Sequence, residues 1–426
     1  MSGTVAEPGE FWWLAGIEDT FITAPSPTTG RTLDEYELTG HYARWRSDLD
    51  LFAALGVRRV RYGIPWHRIN PARGVWDFAS ADAPLERLLE LGIDPIVDLV
   101  HYGLPTWIEG AFLHPDFDRL MADYSARIAE RFRGRIRMVT PLNEPRVTAW
   151  YCGKLGWWPP FRRGWRGFLA VMLGVCRGIV SSVHAMRSVD AAMIHAHVDA
   201  TDLYDSSEPS LAAEVHRRQA LVFLALDLIT GRVQPGHSLY EWMLSLGVSD
   251  RDLAWFQTHA IDLDLIGINL YPMFSEKQLV KTARGLRTRM RYASAGIIDR
   301  LSDRYWQRYQ RRLFISETAS EGSVRRRRAW LDDSVAAVRR VRAGGVPLIG
   351  YTWWPLFALV TWGYREGKKP PHDYLKQMGL WDLRPSPDGL ERVPTPLVDR
   401  FRELVAQGAA AAGPLGPHPI PAPPQA

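Results

Sequence analysis

The chain has 426 residues, of which 46% are hydrophobic and 23% charged, and its formal net charge is +5. This composition is that of an ordinary soluble globular protein, and the modest charge does not by itself indicate a nucleic-acid partner. The two cysteines, Cys152 and Cys176, do not indicate a disulfide framework. The sequence shows no secretory signal and no apolar run long enough to cross a bilayer, so we expect a cytoplasmic protein that has no membrane partner.

Strand and helix patterns alternate along the chain. Apolar runs predict eight strands, at residues 11–17, 57–64, 93–100, 135–144, 191–197, 263–269, 313–317 and 346–353. Apolar residues at helical spacing predict helices at 42–55, 84–91, 117–132, 168–186, 211–229, 297–309 and 328–343. This alternation is typical of an α/β protein with a single (β/α)8 TIM barrel, here with extended βα loops, over residues 1–405. Residues 406–426 are rich in Ala, Gly and Pro and are predicted to be a disordered tail.

Two of the predicted strands end in a glutamate. The fourth runs into Asn143-Glu144-Pro145, and the seventh ends at Glu317. Because proline cannot donate to a sheet and favours an extended predecessor, we expect the fourth strand to end at Glu144. A parallel barrel carries its chemistry at the carboxyl ends of its strands, and two glutamates facing each other there are what glycoside hydrolysis needs. The alternative is that each glutamate only caps the helix that follows it.

Six segments carry a common pattern in a fixed order, at residues 55–69, 92–105, 143–145, 266–271, 316–319 and 351–362. Together they resemble glycoside hydrolase family 1, the β-glucosidase-like retaining glycosidases. The resemblance extends from about residue 11 to residue 405, which is nearly all of the predicted barrel. It implies the family's (β/α)8 fold and the hydrolysis of glycosides by two carboxylates.

The resemblance implies that Glu144 is the general acid and base and that Glu317 is the nucleophile. It implies that His101 and Trp354 position the sugar ring. The residues expected to bind substrate are Glu18, Arg61, His101, Asn143, Tyr271, Trp354, Thr361 and Trp362.

Three of these residues have a more specific expected role. Arg61 and Tyr271 are expected beside Glu317, where they would keep it ionised, and Asn143 is expected to donate to the sugar 2-hydroxyl. The structural alternatives are that Arg61 only bridges strands inside the barrel and that Tyr271 is a packed aromatic residue with a satisfied hydroxyl.

The chain also departs from the family pattern. Pro141 stands where the family has Thr, and residues 316–319 read Ser-Glu-Thr-Ala in place of Thr-Glu-Asn-Gly. Glu18 is the nearest candidate for a sugar-binding Gln, and Thr361 replaces a Glu that holds the outer hydroxyls of the sugar. Both catalytic carboxylates are kept while sugar-contacting residues change, which indicates retained chemistry on an unusual glycone.

The predicted function is therefore that of a retaining β-glycosidase that cleaves O-glycosidic bonds through a covalent glycosyl-enzyme and takes a carbohydrate or glycoside as its substrate. One alternative is a transglycosidase, with Trp157, Trp158 and Trp165 as candidate walls of an acceptor groove. Another is a non-catalytic carbohydrate binder on a degenerate barrel. A phosphorylated sugar near Lys376 is also conceivable, although the motif for it is incomplete.

The remaining motifs do not indicate a cofactor, a metal or a nucleic acid. No metal-ligand spacing and no glycine-rich phosphate loop occurs, and His195 and His197 are interpreted as structural residues of a strand. The basic run at 325–328 has no binding motif beside it, so we interpret it as a solvated helix face or loop.

Overall fold

A computed structural model describes residue 5 and residues 10–417 of the chain. Eight parallel strands form a closed barrel in which each strand pairs with its neighbours in the chain and the last pairs with the first. Their bounds are Trp12–Ile17 (β1), Arg59–Gly63 (β2), Asp94–Asp98 (β3), Met138–Thr140 (β4), Ile194–Ala200 (β5), Leu265–Asn269 (β6), Leu313–Thr318 (β7) and Leu348–Trp353 (β8). The predicted (β/α)8 barrel is confirmed.

Eight long helices alternate with the strands and cover the outside of the barrel. They are His41–Ala53 (α1), Ala79–Glu90 (α2), Phe117–Arg131 (α3), Gly164–Val189 (α4), Ala212–Ile229 (α5), Gly296–Tyr309 (α6), Val324–Ala343 (α7) and Pro396–Gln407 (α8). Seven of them lie where the periodicity predicted a helix. The eighth was not predicted, although its apolar residues Leu397, Phe401 and Leu404 are buried at helical spacing.

The strands separate two apolar cores, as β1 illustrates. Trp12 and Leu14 point into the barrel and join an interior cluster with Phe314. Trp13 and Ala15 point outward and pack in the core between the strands and the helices. Because successive residues of a strand face opposite sides, a strand covered on both faces is apolar throughout.

Connecting segments carry many shorter elements. The short helices are Glu35–Thr39, Trp66–Ile69, Pro145–Ala149, Tyr240–Ser245 and Asp250–Thr258, with a π-helix at Trp150–Leu155 and 3-10 turns at Ala111–Leu113, Pro209–Leu211, Trp362–Tyr364 and Pro371–Tyr374. The short strands pair as Phe21–Ile22 with Leu33–Asp34, Leu359–Val360 with Leu375–Lys376, and Trp381–Ser386 with Gly389–Pro394. The expected extended βα loops are therefore present.

The basic segment before α6, which the sequence pattern left without structure, forms a β-hairpin. Its strands are Glu276–Thr282 and Gly285–Arg291, and Leu203–Asp205 pairs with the first of them. The alternation of Leu286, Thr288 and Met290 with arginines is a period-two strand pattern that was overlooked.

Helix α4 corrects one expectation about the sequence. It has 26 residues and, by length and composition alone, is apolar enough to cross a membrane. Most of it is buried inside the fold, and the Ser182 hydroxyl contacts that of Ser125 on α3 at 3.0 Å. Its apolarity is therefore that of a core helix, and length alone does not make it a membrane span.

The prediction of a disordered tail from residue 406 is wrong for residues 406–417. Helix α8 continues to Gln407, and Ala409–Ala412 forms a further turn of helix. Arg339 Nε donates to the Ala411 carbonyl at 2.5 Å, and Arg342 Nε donates to the Gly413 carbonyl at 3.0 Å. An Ala-rich segment is a good helix former once a neighbouring helix gives it partners. Residues 418–426 lie outside the described part of the chain.

The arginine run at 325–328 lies in the first turns of α7, so the interpretation as a helix face is correct only in part. Arg327 is buried, where Nη2 donates to Asp382 Oδ1 at 2.8 Å. Arg328 pairs with Asp332 one turn along the helix at 3.1 Å. The run therefore does not form one basic surface.

Candidate active site

Glu144 does not end a strand, which corrects the sequence expectation. Strand β4 ends at Thr140, and Glu144 has a left-handed backbone with φ +50° and ψ +67°. Its N–H donates to the Val198 carbonyl at 3.0 Å, and the Asn143 N–H donates to the Val100 carbonyl at 2.9 Å. A non-glycine residue in this region is strained by about 1–3 kcal/mol and persists only where its surroundings hold it. These hydrogen bonds to neighbouring strand ends hold Glu144 over the barrel mouth.

Glu317 enters the barrel through an irregularity of β7. Leu313 and Ile315 pack outward, and Phe314 packs inward. A strict period of two would therefore turn Glu317 outward. The pairing register with β6 shifts between Ile315 and Glu317. A bulge of this kind re-aims a side chain, and here it directs Glu317 toward the inward-facing Arg61.

Glu317 has a strong donor on each carboxylate oxygen. Arg61 Nη1 lies 2.7 Å from Glu317 Oε1, and the Tyr271 hydroxyl donates to Oε2 at 2.6 Å. The predicted contacts of Arg61 and Tyr271 with Glu317 are therefore present in the structure. Arg61 is fully buried and its Nη1 also lies 2.7 Å from Glu18 Oε1.

Glu144 has only neutral partners among the described residues. The Tyr102 hydroxyl donates to Glu144 Oε2, and Asn269 Nδ2 donates to Oε1 at 2.9 Å. Burial and then the charge of Glu317 raise the pKa of Glu144 to about 8, against these two hydrogen bonds, which lower it. The site therefore holds a carboxyl that is protonated near neutral pH.

Asn143 and His101 belong to a network that also fixes Arg61. Arg61 Nη2 donates to Asn143 Oδ1 at 3.1 Å, and Asn143 Nδ2 lies 3.3 Å from His101 Nε2. His101 Nδ1 lies 3.0 Å from Asp98 Oδ2. With Nδ1 donating to the carboxylate, Nε2 is the acceptor, which matches the amide donor that it faces. Asp98 also lies 3.4 Å from Arg61 and so orients both side chains.

Trp354 and Glu18 lie together beneath this network. The Trp354 indole donates to the Glu18 carbonyl at 2.9 Å, and its ring is nearly parallel to that of His101 at 6.5 Å. The Glu18 carboxyl is fully buried. Burial raises the pKa of Glu18 well above its usual range, as do Glu317 and Asp98, although Arg61 lowers it. A protonated Glu18 would be uncharged, as is the Gln that the family pattern has at this place, whereas an exposed glutamate carries a negative charge.

Trp362 packs against a residue that contacts Glu144, whereas the Thr361 side chain makes no hydrogen bond to Glu144 or Glu317 in the described part of the chain. Trp362 packs edge-on against Tyr102 at 5.5 Å, and its indole donates to the Thr20 hydroxyl at 3.0 Å. Thr361 donates through its backbone to Tyr374 at 2.9 Å. Within residues 10–417 no hydrogen bond joins the Thr361 side chain to the catalytic carboxyls. Its contact with sugar therefore stays a prediction, as do the sugar contacts of the other residues.

Two of the tryptophans considered as acceptor walls share a neighbour, since Trp157 and Trp158 both pack against Tyr151, and the third, Trp165, has other partners. Trp158 stacks on Tyr151 at 4.6 Å and meets Trp362 edge-on at 4.8 Å. Trp165 packs instead against Trp242 at 5.4 Å. Trp157 is 56% exposed.

His195 has the structural role that the sequence predicts. His195 Nδ1 lies 3.0 Å from Asp264 Oδ2 on the outer side of β5. Burial lowers the pKa of His197 to about 3, so this side chain stays neutral. Among the described residues no group of three or more His, Cys, Asp or Glu side chains could hold a metal ion.

Sequence reasoning missed three functional side chains, Tyr102, Asn269 and Asp98. Asn269 and Asp98 are polar residues that end apolar strands, which is a signal that the sequence contains. Tyr102 follows His101 directly, but its hydroxyl reaches Glu144 because its backbone has φ +68°. No sequence pattern indicates that backbone conformation.

Comparison with known proteins agrees with this geometry. A family model described as glycosyl hydrolase family 1 matches residues 14–227. The bifunctional beta-D-glucosidase/beta-D-fucosidase of Bifidobacterium breve is 34% identical over 161 residues, which cover 35% of this chain and 34% of that protein. Beta-glucosidase A of Thermotoga maritima is 34% identical over 118 residues, which cover 26% of each chain. The chain thus matches about a third or less of the length of these relatives.

Solved structures extend the similarity to the whole barrel. A beta-glucosidase from Thermotoga maritima in complex with glucoimidazole has a TM-score of 0.81 at 20% sequence identity, over 96% of this chain and 100% of that one. At this identity the similarity is one of fold. The family match covers half of the chain, including Glu144 and its Asn-Glu-Pro motif. The chain belongs to glycosyl hydrolase family 1.

Proposed function

We propose that the protein is a retaining β-glycosidase that hydrolyses O-glycosidic bonds, with Glu317 as nucleophile and Glu144 as acid and base. The observation that carries the proposal is the contrast between two buried carboxyls at one end of the barrel. Glu317 has a guanidinium and a phenol as donors, whereas Glu144 has a phenol and an amide. A nearby cation favours the ionised form, and burial beside a negative charge favours the protonated form, which separates the two roles.

In the first step Glu144 donates its proton to the glycosidic oxygen while a Glu317 oxygen attacks the anomeric carbon. The carbon–oxygen bond to the leaving group breaks, and an ester between the sugar and Glu317 forms. Arg61 and Tyr271 orient the attacking carboxylate, since each donates to one of its oxygens. Arg61 holds Asn143 through its carbonyl oxygen, and the amide nitrogen of Asn143, which lies 3.3 Å from both His101 Nε2 and the Tyr102 hydroxyl, would turn to donate to the sugar 2-hydroxyl.

In the second step Glu144 acts as a base. Esterification removes the charge of Glu317, and that charge is one cause of the raised pKa of Glu144. The pKa of Glu144 therefore falls in the glycosyl-enzyme, and the carboxylate accepts a proton from water as the water oxygen attacks the anomeric carbon. The ester bond breaks, and the sugar leaves with its original β configuration.

The glycone is proposed to be altered at its outer positions. Thr361 has one short hydroxyl where a carboxylate would bridge two sugar hydroxyls, so plain β-glucosides would leave a hydroxyl unpaired. The name of the Bifidobacterium breve relative includes β-D-fucosidase activity, and fucosides lack a 6-hydroxyl. This supports a preference for sugars with a modified outer hydroxyl.

Hydrolysis is favoured over the two alternatives. A non-catalytic binder has no need of a raised pKa in one carboxyl and a cation beside the other. A transglycosidase needs a wall that excludes water, but Trp157 is 56% exposed and Trp165 packs against Trp242. We also propose a cytoplasmic location, which the unpaired, buried Cys152 and Cys176 support.

The test is a panel of aryl β-glycosides that differ in the sugar, followed by proton NMR of the first-formed product. Wild type is expected to release the β-anomer first. A 2-deoxy-2-fluoro aryl glycoside of the preferred sugar is expected to add one glycosyl mass to the peptide that contains Glu317. Glu144→Gln should slow substrates with poor leaving groups by about 10²–10⁴-fold and activated aryl glycosides far less.

A matched control is Glu109→Gln, a change of the same kind at an exposed glutamate of a loop at the barrel mouth. It is expected to leave turnover unchanged. Release of the α-anomer first, or turnover that survives Glu317→Gln, would contradict the retaining assignment. Added alcohol that diverts most of the glycosyl group from water would instead favour the transglycosidase.

A further inference from the structure

The exposed apolar side chains of the protein concentrate at the end of the barrel that holds the carboxyls. Among the described residues, six of the eight exposed large hydrophobic side chains lie on two mouth loops: Trp157, Phe161, Phe274, Leu286, Met290 and Tyr292. These loops, residues 154–166 and 274–292, follow β4 and β6 and are called the mouth rim below. Loops after parallel barrel strands all lie at one end, so the mouth rim surrounds the same opening as Glu144 and Glu317.

The mouth rim is also basic. Residues 154–166 include four basic and no acidic residues, and residues 274–292 include six basic residues and one acidic residue, Glu276. Arg284, Arg287 and Arg289 are exposed, and within residues 10–417 no carboxylate forms an ion pair with them. In the connection before β4, at the opposite end of the barrel, Arg135 by contrast pairs with Glu86 at 2.6 Å. Lys277 and Arg291 of the rim pair with carboxylates, whereas the charges of Arg284, Arg287 and Arg289 are left available for an external anion.

Exposed apolar side chains and basic side chains occur together on one strand of the hairpin. Leu286, Thr288 and Met290 alternate with Arg287 and Arg289 along the strand Gly285–Arg291, which is the edge of its sheet. Met290 is 52% exposed and Leu286 is 41% exposed. Successive residues of a strand face opposite sides, so Leu286 and Met290 lie on one face of this strand and Arg287 and Arg289 on the other. On the partner strand Lys281 is opposite Leu286 and Lys277 is opposite Met290, so the face with the apolar side chains also carries basic ones.

From this we propose that the mouth rim docks on an anionic lipid bilayer. Basic side chains near the surface are attracted by anionic headgroups, and aromatic and aliphatic side chains enter the boundary with the acyl chains. Nucleic acid would account for the arginines but not for Leu286 and Met290, which have no phosphate or base-edge partner. The cytoplasmic leaflet carries the negative surface potential that this charge requires.

Docking in this orientation turns the barrel mouth toward the membrane. If the proposed function holds, the substrates would then be glycosides whose aglycone is a lipid anchored in the bilayer. This consequence rests on the proposed function, whereas the docking itself does not. The two can therefore be tested separately.

The test is co-sedimentation of the full chain with phosphatidylglycerol vesicles and with phosphatidylcholine vesicles at low salt. Wild type is expected to sediment with the first kind and to stay in solution with the second. The triple variant Arg284→Glu, Arg287→Glu and Arg289→Glu is expected to lose binding by at least about tenfold. The double variant Leu286→Ser and Met290→Ser is expected to lose binding with its charge unchanged.

The matched control reverses three exposed arginines at the opposite end of the barrel. Arg58 precedes β2, and Arg133 and Arg137 precede β4. Changing all three to Glu alters the net charge as the rim triple variant does and is expected to keep vesicle binding. Circular dichroism of each variant checks folding, and hydrolysis of a soluble aryl glycoside checks the catalytic site independently of docking.

Three results would overturn the proposal. One is wild-type protein that stays in solution with phosphatidylglycerol vesicles. The second is equal loss of binding in the rim and control triple variants, which would make the attraction a property of net charge. The third is tighter binding to duplex nucleic acid than to the vesicles, unaffected by Leu286→Ser and Met290→Ser.

Discussion

Replacing Tyr102 by Phe tests how the acid and base is tuned. The Tyr102 hydroxyl donates to Glu144 Oε2, and this hydrogen bond lowers the pKa of a carboxyl that burial and Glu317 raise to about 8. A hydrogen bond to a charged group contributes about 1.5–3 kcal/mol, and one pKa unit corresponds to about 1.4 kcal/mol. Tyr102→Phe should therefore raise the pKa of Glu144 by about one to two units.

The measurement is the pH dependence of kcat/KM for an alkyl glycoside of the preferred sugar, whose poor leaving group requires the acid. The alkaline limb of this profile reports the acid of the free enzyme. It is expected near pH 8 in wild type. In Tyr102→Phe it should lie about one to two units higher, because the carboxylate has lost a donor and the protonated form is favoured.

Tyr151→Phe is the matched control. Tyr151 lies in the same aromatic group, with its ring 4.9 Å from that of Trp362, and its hydroxyl is not among the donors to Glu144 in the described part of the chain. This variant should leave the alkaline limb where it is in wild type. An alkaline limb that stays in place or moves down in Tyr102→Phe would refute the assignment. Equal shifts in both variants would show that aromatic packing, and not the hydrogen bond, sets the pKa.

Three further changes probe the rest of the site. Thr361→Glu is expected to increase the ratio of kcat/KM for β-glucosides to kcat/KM for β-fucosides by about tenfold or more. An unchanged ratio would contradict the proposed glycone preference. Gly103→Ala would place a methyl group 1.3 Å from the Phe21 carbonyl oxygen, so urea unfolding should show a loss of about 1–3 kcal/mol or more; wild-type stability would contradict this packing. Burial raises the pKa of Asp199 to about 7 in the folded protein. The protonated carboxyl therefore favours the folded state, and this contribution to the unfolding free energy is lost as the pH rises from about 4 to 7. In Asp199→Asn the unfolding free energy should fall less between pH 5 and pH 8 than in wild type, and equal falls would count against the raised pKa.

The barrel and the identity of its two glutamates could be predicted from local patterns. Each barrel strand is an apolar run because both of its faces are covered, and seven of the eight long helices were predicted from apolar residues at helical spacing. These are properties of neighbouring side chains, and no distant contact is needed to produce them. Arg61 and His101 were predicted in a different way, because their segments resemble those of glycoside hydrolase family 1.

The orientation of the two carboxyls was decided only in the tertiary structure. Strand periodicity by itself directs Glu317 outward, and Pro145 by itself favours an extended Glu144. A register shift against β6 turns the first inward, and hydrogen bonds to the ends of β3 and β5 hold the second in a left-handed conformation. Register and φ at these points depend on partners more than forty residues away in the chain, so no local pattern could contain them.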